Sequence, residues 1–326
     1  MTLTARAPRR SPRPASTATS AASRLNLPER LTAAPSDAPA HHVRVALDTR
    51  LRALLSHDPG ARTGEDIEHV HQMRVSVRRM RAALKAARPL LDAEWSDALR
   101  AELGWLGRSL GPVRDLDVML PRLRGLSADL PTDQRAAADQ LIGVLDGDYT
   151  LARAEMLTAL DAPRYSALLE RLADAVRLPL PGRSATDSRP ELVDLVRAEY
   201  ASLLKSVKRA GKNPPDEVLH ALRIKCKRLR YTGELVEPAL GAPVRKLLVA
   251  TTGLQEVLGD HQDACVAQQT IRELLPRLGE AGDAQADPTL PFVAGRMAER
   301  EYVRAEFQRS LWWDAWLAVQ ARGEKL

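Results

Sequence analysis

Two stretches carry the side chains best suited to chemistry, and they answer one another. His71-Gln-Met-Arg74-Val-Ser-Val-Arg78-Arg79-Met-Arg81 and His220-Ala-Leu-Arg223-Ile-Lys-Cys-Lys227-Arg228-Leu-Arg230 both fit H-x-x-R-x-x-x-[KR]-R-x-R at an offset of 149 residues. Forked guanidinium donors, ammonium groups and imidazoles at such density suit oxygen-rich anions, because they supply hydrogen bonds and positive potential together. No carboxylate lies between His71 and Lys85, or between His220 and Arg230. On a solvated helix such cations normally alternate with acids at i,i+4, since like charges there repel by about 0.2–0.5 kcal/mol per pair. Clustering them costs stability and points to an anionic partner.

Both stretches read as helices. At about 100° per residue, with His71 at zero, Arg74, Arg78, Arg81 and Lys85 fall between about −80° and −20°, while Met73, Val77, Met80, Leu84 and Ala87 gather near 160–240°. Starting from His220, Arg223, Lys227 and Arg230 take the same three angles, with Leu222, Cys226, Leu229 and Val236 on the apolar arc. Arg79 and Arg228 fall off the stripe, and Glu234 stands where the first copy has Lys85. The first stripe is about 21 Å long at 1.5 Å per residue, too long for a phosphate monoester and suited to a linear polyanion.

Further matches keep the order and the offset. Leu110-Gly111-Pro-Val-Arg114-Asp115-Leu-Asp117-Val118 answers Leu258-Gly259-Asp-His261-Gln-Asp263-Ala-Cys-Val266, and Arg153-Ala-Glu-Met156 answers Arg304-Ala-Glu-Phe307. An internal duplication is the expected explanation, with equivalent helices of the two halves facing each other.

The elements that must position these groups are helices throughout. From His41 onward Ala, Leu, Arg and Glu dominate and β-type alternation is absent, so an all-α chain is expected. Breaks are expected at Asp58-Pro59-Gly60, Arg88-Pro89, Leu130-Pro131, Ala162-Pro163, Leu178 to Pro190, Gly211 to Pro215, Glu237 to Pro243 and Gly279 to Pro291. Residues 1–40, rich in Arg, Pro, Ala, Ser and Thr, read as a disordered arm. Two helical bundles, 41–178 and 190–326, follow on either side of a linker at 179–189.

The 326 residues carry 48 Lys and Arg against 42 Asp and Glu, a net charge of +6. Five of those charges lie within residues 1–30, which hold six arginines and one acid, Glu29. The remaining chain is nearly neutral, so the net charge is poor support for a polyanion ligand and local segregation of charge is the useful observation. No apolar run approaches a membrane span and residues 1–40 hold no apolar core of the secretory type, about 7–15 residues long, so a soluble cytoplasmic protein is expected. Cys226 and Cys265, 39 residues apart, form neither a disulfide framework nor a zinc module.

These motifs closely resemble the conserved histidine α-helical domain family, known as CHAD. The match runs through the segment from Glu68 to Ala82, Leu110 to Val118, Leu219 to Tyr231 with Glu234, and Leu254 to Ala264. The resemblance implies two four-helix bundles related by pseudo-two-fold symmetry, with a central basic pore or groove that binds inorganic polyphosphate without turning it over. It directs such proteins to polyphosphate granules, where other granule proteins or a polyphosphate-metabolising enzyme are expected partners. Binding positions carried over are His71, Arg74, Arg78, Arg79, Arg81, His220, Arg223, Lys227, Arg228 and Arg230, to which the helical stripe adds Lys85. Arg114, Asp115, Asp263, Arg153 and Arg304 are expected in support. The E-x-E-x-K signature of a fused CYTH triphosphatase is not found.

Rival readings fare less well. His71, His220 and His261 could converge with Asp115 or Asp263 on a metal, but neighbouring arginines oppose a cation, so no metal or cofactor is expected. Asp115, Asp117 and Asp263 suit ion pairing or capping better than acid–base catalysis, and no nucleotide or hydrolase motif occurs. Nucleic acid meets the same stripes, yet only 12 residues are aromatic and Tyr231 alone adjoins a basic segment, which disfavours base stacking. Trp312, Trp313 and Trp316 read as core packing.

Overall fold

A computed structural model describes residues 24–182, 191–280 and 289–326. Its helices are α1 (Pro39–Thr63), α2 (Ile67–Ala86), α3 (Ala93–Ala128), α4 (Thr132–Asp161), α5 (Pro163–Arg177), α6 (Leu192–Ala210), α7 (Asp216–Leu240), α8 (Ala242–Glu280) and α9 (Thr289–Gly323). Among the described residues the β contact is an isolated bridge between Leu91 and Gly182. The all-α expectation holds.

Local chemistry sets the ends of the helices that matter here. Gly64, at φ 76°, closes α1 by donating to the Gly60 carbonyl, a left-handed position that favours glycine. Two residues later the Asp66 carboxylate accepts the Glu68 N–H at 2.8 Å and starts α2, and Asp92 starts α3 by accepting from Trp95 at 2.8 Å.

One expected break, at Asp58-Pro59-Gly60, is absent, while that at Glu237 to Pro243 falls at Gly241, φ 69°, between α7 and α8. α1 runs through Pro59 and α7 through Pro238. Each proline lies within the last turns of its helix and removes one backbone hydrogen bond, and burial of Leu54, Leu55 and Ala61 in α1, and of Leu235 and Val236 in α7, offsets that loss.

The core fills the predicted arcs. Met73, Met80, Leu84 and Ala87 of the first basic segment are fully buried, as is Cys226 in the second, with Leu222, Leu229 and Val236 beside it. They join side chains from α1, α3, α5, α6, α8 and the C-terminal part of α9, including Trp312 and Trp316. A second core joins the far ends of the long helices, through Leu123 of α3, Leu141 of α4, Ile271 of α8 and Val293 of α9.

Residues 24–38 correct the expectation of a disordered arm where they are described; residues 1–23 lie outside the described part. Leu25 is buried, Arg177 donates to its carbonyl at 2.9 Å, and the Leu31 N–H donates to Asp48 at 3.0 Å. The fully buried Asp48 carboxylate needs donors, and this strap and Arg52, at 2.7 Å, supply them. Of the expected linker, Leu180 is buried and the Pro181 carbonyl accepts from Asp92 at 2.8 Å, while 183–189 lie outside the described residues.

Candidate functional site

α2 packs against α7, which brings the two basic edges to one place. Between them, α3 and α8 complete a cleft of about 530 Å³. α2 contributes His71, Arg74 and Arg78; α7 contributes His220, Arg223 and Lys227. From α3 come Arg114, Asp115 and Arg122, and from α8 Gln255, Gln262 and Asp263.

The two basic motifs make similar pairs. Arg74 reaches Asp115 at 3.2 Å, and Arg223 reaches Asp263 at 3.7 Å. Arg74 also donates to the Gly107 carbonyl at 3.3 Å, lying so close over Gly111 that a Cβ there would stand 2.7 Å from its Nη1. His220 Nδ1–H donates to Gln262 Oε1 at 2.7 Å, which leaves Nε2 free for another contact.

Charge is arranged by depth. The side chain of Asp115 is 72% exposed and that of Asp263 42%, against 28% and 20% for Arg74 and Arg223. Glu256 and Asp260 are exposed as well. Acids at the solvent edge are screened by water and salt, so their effect on the cations beneath is reduced. Arg78 and Lys227, equivalent in the repeat, have neither an ion pair nor a hydrogen bond to another side chain among the described residues, and the buried Arg78 Nε has no acceptor.

The cost of this arrangement appears in the proton equilibria. Burial, then Arg223 and Arg78, push the Lys227 ammonium down to about 7, with Asp263 opposing them. Burial and then Arg114 lower His71, while burial lowers Arg74 and Arg223 against the pull of Asp115 and Asp263. A phosphate oxygen entering here would relieve the repulsion and fill empty donors.

The track continues along one side. A groove of about 390 Å³ runs from Arg74 and Arg78 past Arg81 and Arg108, over the glycines at 104, 107 and 111. Lys85 is exposed beyond it, its ammonium lowered by burial and then by Arg228 and Arg100.

Other expected binding residues stand outside the cleft. Arg79 pairs with Glu234 at 3.1 Å, Arg230 pairs with the same carboxylate at 3.1 Å, and Arg228 pairs with Glu199 at 2.7 Å. Arg153 donates to the carbonyls of Ala61 at 3.3 Å and Arg62 at 2.7 Å, ending α1, and Arg304 is exposed on α9 away from the cleft. Asp117 is buried and its carboxyl is pushed up by burial, against the pull of Arg114 and Arg153, and it does not line the cleft.

Arg108, Arg122, Gln255 and Gln262 were not among the expected residues. Arg122 holds the buried Glu301, and Gln262 lies in His261-Gln-Asp263, a pattern too short to interpret alone. His261 does not join His71 and His220. It contacts Asp216 at 3.0 Å and Cys265 at 3.8 Å, and the Arg309 guanidinium occupies the same Asp216 oxygen. That guanidinium opposes a cation at this Asp–His–Cys group.

Comparison with known proteins agrees with this architecture. The CHAD domain family model matches residues 45–272. Two curated relatives from Mycobacterium tuberculosis, Uncharacterized protein MT2285 and Uncharacterized protein Rv2226, are each 30% identical over 251 residues, or 75% of this chain. The alignment covers 48% of each relative, so the chain spans about half the length of the curated relatives it matches. Among solved structures, the CHAD domain from the plant Ricinus communis aligns with a TM-score of 0.67 at 24% identity, over 91% of this chain and 96% of that one. PptA from Streptomyces chartreusis aligns with a TM-score of 0.66 at 20% identity, over 85% and 99%. These likenesses establish the fold.

Proposed function

Because the chain belongs to the CHAD domain family, we propose that it binds inorganic polyphosphate in the cleft between α2 and α7 and does not turn it over. The family is linked to polyphosphate binding and is generally a non-catalytic binding domain. The observation that carries the reading is the pair Arg78 and Lys227, two equivalent cations without carboxylate partners, facing one cleft from opposite halves of the repeat.

Each internal phosphate of the polymer carries about one negative charge and offers only oxygens, so what binds it is donors plus potential. Arg74, Arg78 and Arg223 supply forks, Lys227 a point charge, and His71 and His220 donors that strengthen when protonated. The groove past Arg81 and Arg108 gives a linear ligand a path out of the cleft, which orthophosphate would not use. Through the bound polymer the protein would be held at polyphosphate granules.

Nucleic acid is the competing polyanion. Among the described residues the cleft lining contains no Phe, Tyr or Trp, so bases gain none of these larger stacking platforms there. Binding of long-chain polyphosphate, single-stranded DNA, RNA and orthophosphate, each titrated with salt, tests the assignment. Polyphosphate is expected to bind tightest, with log K falling linearly in log salt. Equal or tighter binding of DNA or RNA overturns it.

A further inference from the structure

Lys227 has the surroundings of a reactive amine. Of the eight lysines in the chain it is the one that lines the basic cleft among the described residues, and it is half-buried there. Arg223, one turn before it on α7, and Arg78 and Arg74, from α2 across the cleft, act on it as like charges. Asp263 of α8 opposes them but is itself engaged by Arg223 at 3.7 Å, and Lys227 makes no ion pair among the described residues. Burial first, and then these guanidinium groups, hold its ammonium down to about 7. Near neutral pH much of the side chain is therefore the free amine, which is a nucleophile.

Three polar atoms of the same lining have no hydrogen-bond partner. Nε of Arg78 and Nε of Arg223 are buried N–H donors without an acceptor, and Gln255 Oε1 is a buried acceptor without a donor. Phosphate oxygens satisfy only the two donors. A group that carries anionic oxygens together with one N–H matches all three.

We infer that Lys227 is a carbamate site whose reactant is dissolved carbon dioxide. The Nζ lone pair forms the N–C bond, one C=O π pair moves onto oxygen, and a proton leaves the nitrogen for solvent. The product, –NH–COO⁻, has acceptor oxygens for the guanidinium groups and one N–H for the Gln255 carbonyl. It puts a negative charge where a positive one stood, so the repulsion from Arg74, Arg78 and Arg223 becomes attraction. A lysine on an open surface stays protonated and gains no such stabilisation, which makes the reaction selective for this position. The inference is independent of the ligand assigned to the cleft. Where that ligand is a polyanion, the carbamate repels it, and carbon dioxide acts as a competitor.

The full chain is equilibrated with isotope-labelled bicarbonate at about pH 8, treated with triethyloxonium to trap carbamates as esters, digested and mapped by mass spectrometry. Label is expected on Lys227 at about tenfold or more the level of any other lysine, since an ordinary side-chain amine is on the order of a hundredfold less deprotonated at that pH. Lys227→Arg should remove this label. Arg78→Gln, which takes one guanidinium from the product, should lower it about fivefold, with the helical circular dichroism of both variants unchanged. An unlabelled Lys227 overturns the inference. So does label spread over the lysines according to exposure, or label on Lys227 that is indifferent to Arg78→Gln.

Discussion

Arg78 of α2 and Lys227 of α7 stand 149 residues apart at the same position of the repeat, and both line one cleft without a carboxylate partner among the described residues. Their neighbours in the stripe, Arg74 and Arg223, are each tied to an acid on the next helix. The unpaired cations are therefore the groups with most to gain from an incoming oxyanion. A charge-assisted hydrogen bond is worth about 1.5–3 kcal/mol, so Arg78→Ala is expected to weaken polyphosphate binding about tenfold or more in a fluorescence titration.

Arg79, next in the sequence, predicts the opposite pattern. Its guanidinium is held by Glu234 across the α2–α7 contact. Arg79→Ala should lower stability by about 1 kcal/mol in urea denaturation and change the affinity for polyphosphate less than about twofold. A loss of affinity as large as that of Arg78→Ala would place Arg79 on the ligand.

Lys227 makes binding and stability respond to pH in opposite directions. Its ammonium is pushed down to about 7 by burial and by Arg223 and Arg78, well below the unfolded value of about 10.4. Between those limits the unfolded chain holds more protons, so the stability of the free protein should rise with pH over that range. Bound phosphate favours the ammonium, so binding should take up a proton near about pH 8 and weaken as pH rises above about 7. Calorimetry in two buffers of different ionisation heat checks the uptake. Lys227→Arg should abolish the uptake while keeping the affinity, because arginine remains charged.

The glycines separate the surroundings of the two basic motifs. A Cβ on Gly111 would meet Arg74 Nη1 at 2.7 Å, while one on the equivalent Gly259 would sit 3.9 Å from Arg223 Nε, an ordinary contact. Gly→Ala inside a helix favours the helix by about 0.5–1 kcal/mol, and Arg74 is a flexible chain end that can move aside. Gly111→Ala should therefore leave thermal stability equal or raised yet weaken binding several-fold, and Gly259→Ala should leave binding unchanged.

Much of the site was legible because helical periodicity and the absence of acids are properties of sequence alone. The angles computed for His71, Arg74 and Arg78, and for His220, Arg223 and Lys227, put them on one edge, and these six line the cleft. Arg79 and Arg228 already fell off that edge, and each found an acid on another helix, Glu234 and Glu199. Arg230 shares the angle of Arg81 but has Glu234 one turn ahead, at the place of Lys85, and that visible departure becomes an ion pair that shortens the second stripe. Gln262, Gln255 and Arg108 were illegible because their roles depend on which faces of α3 and α8 meet the basic helices. The strap at 24–38 was missed for a related reason: its backbone is satisfied by Asp48, Arg52 and Arg177 on distant helices, so its own composition carries no pattern.

On the proposed function the folded cleft binds the polymer, and the Arg-rich N-terminus does not. Because Leu25 and Pro28 belong to the packed strap, the arm must be removed as residues 1–23 and no further. Salt-titrated polyphosphate affinity, measured for that deletion and for Arg78→Ala with Lys227→Ala in the full chain, decides between them. Near-native affinity is expected for the deletion, and for the double variant a loss of about a hundredfold with a shallower salt slope. Lost binding in the deletion, with binding retained in the double variant, would contradict it.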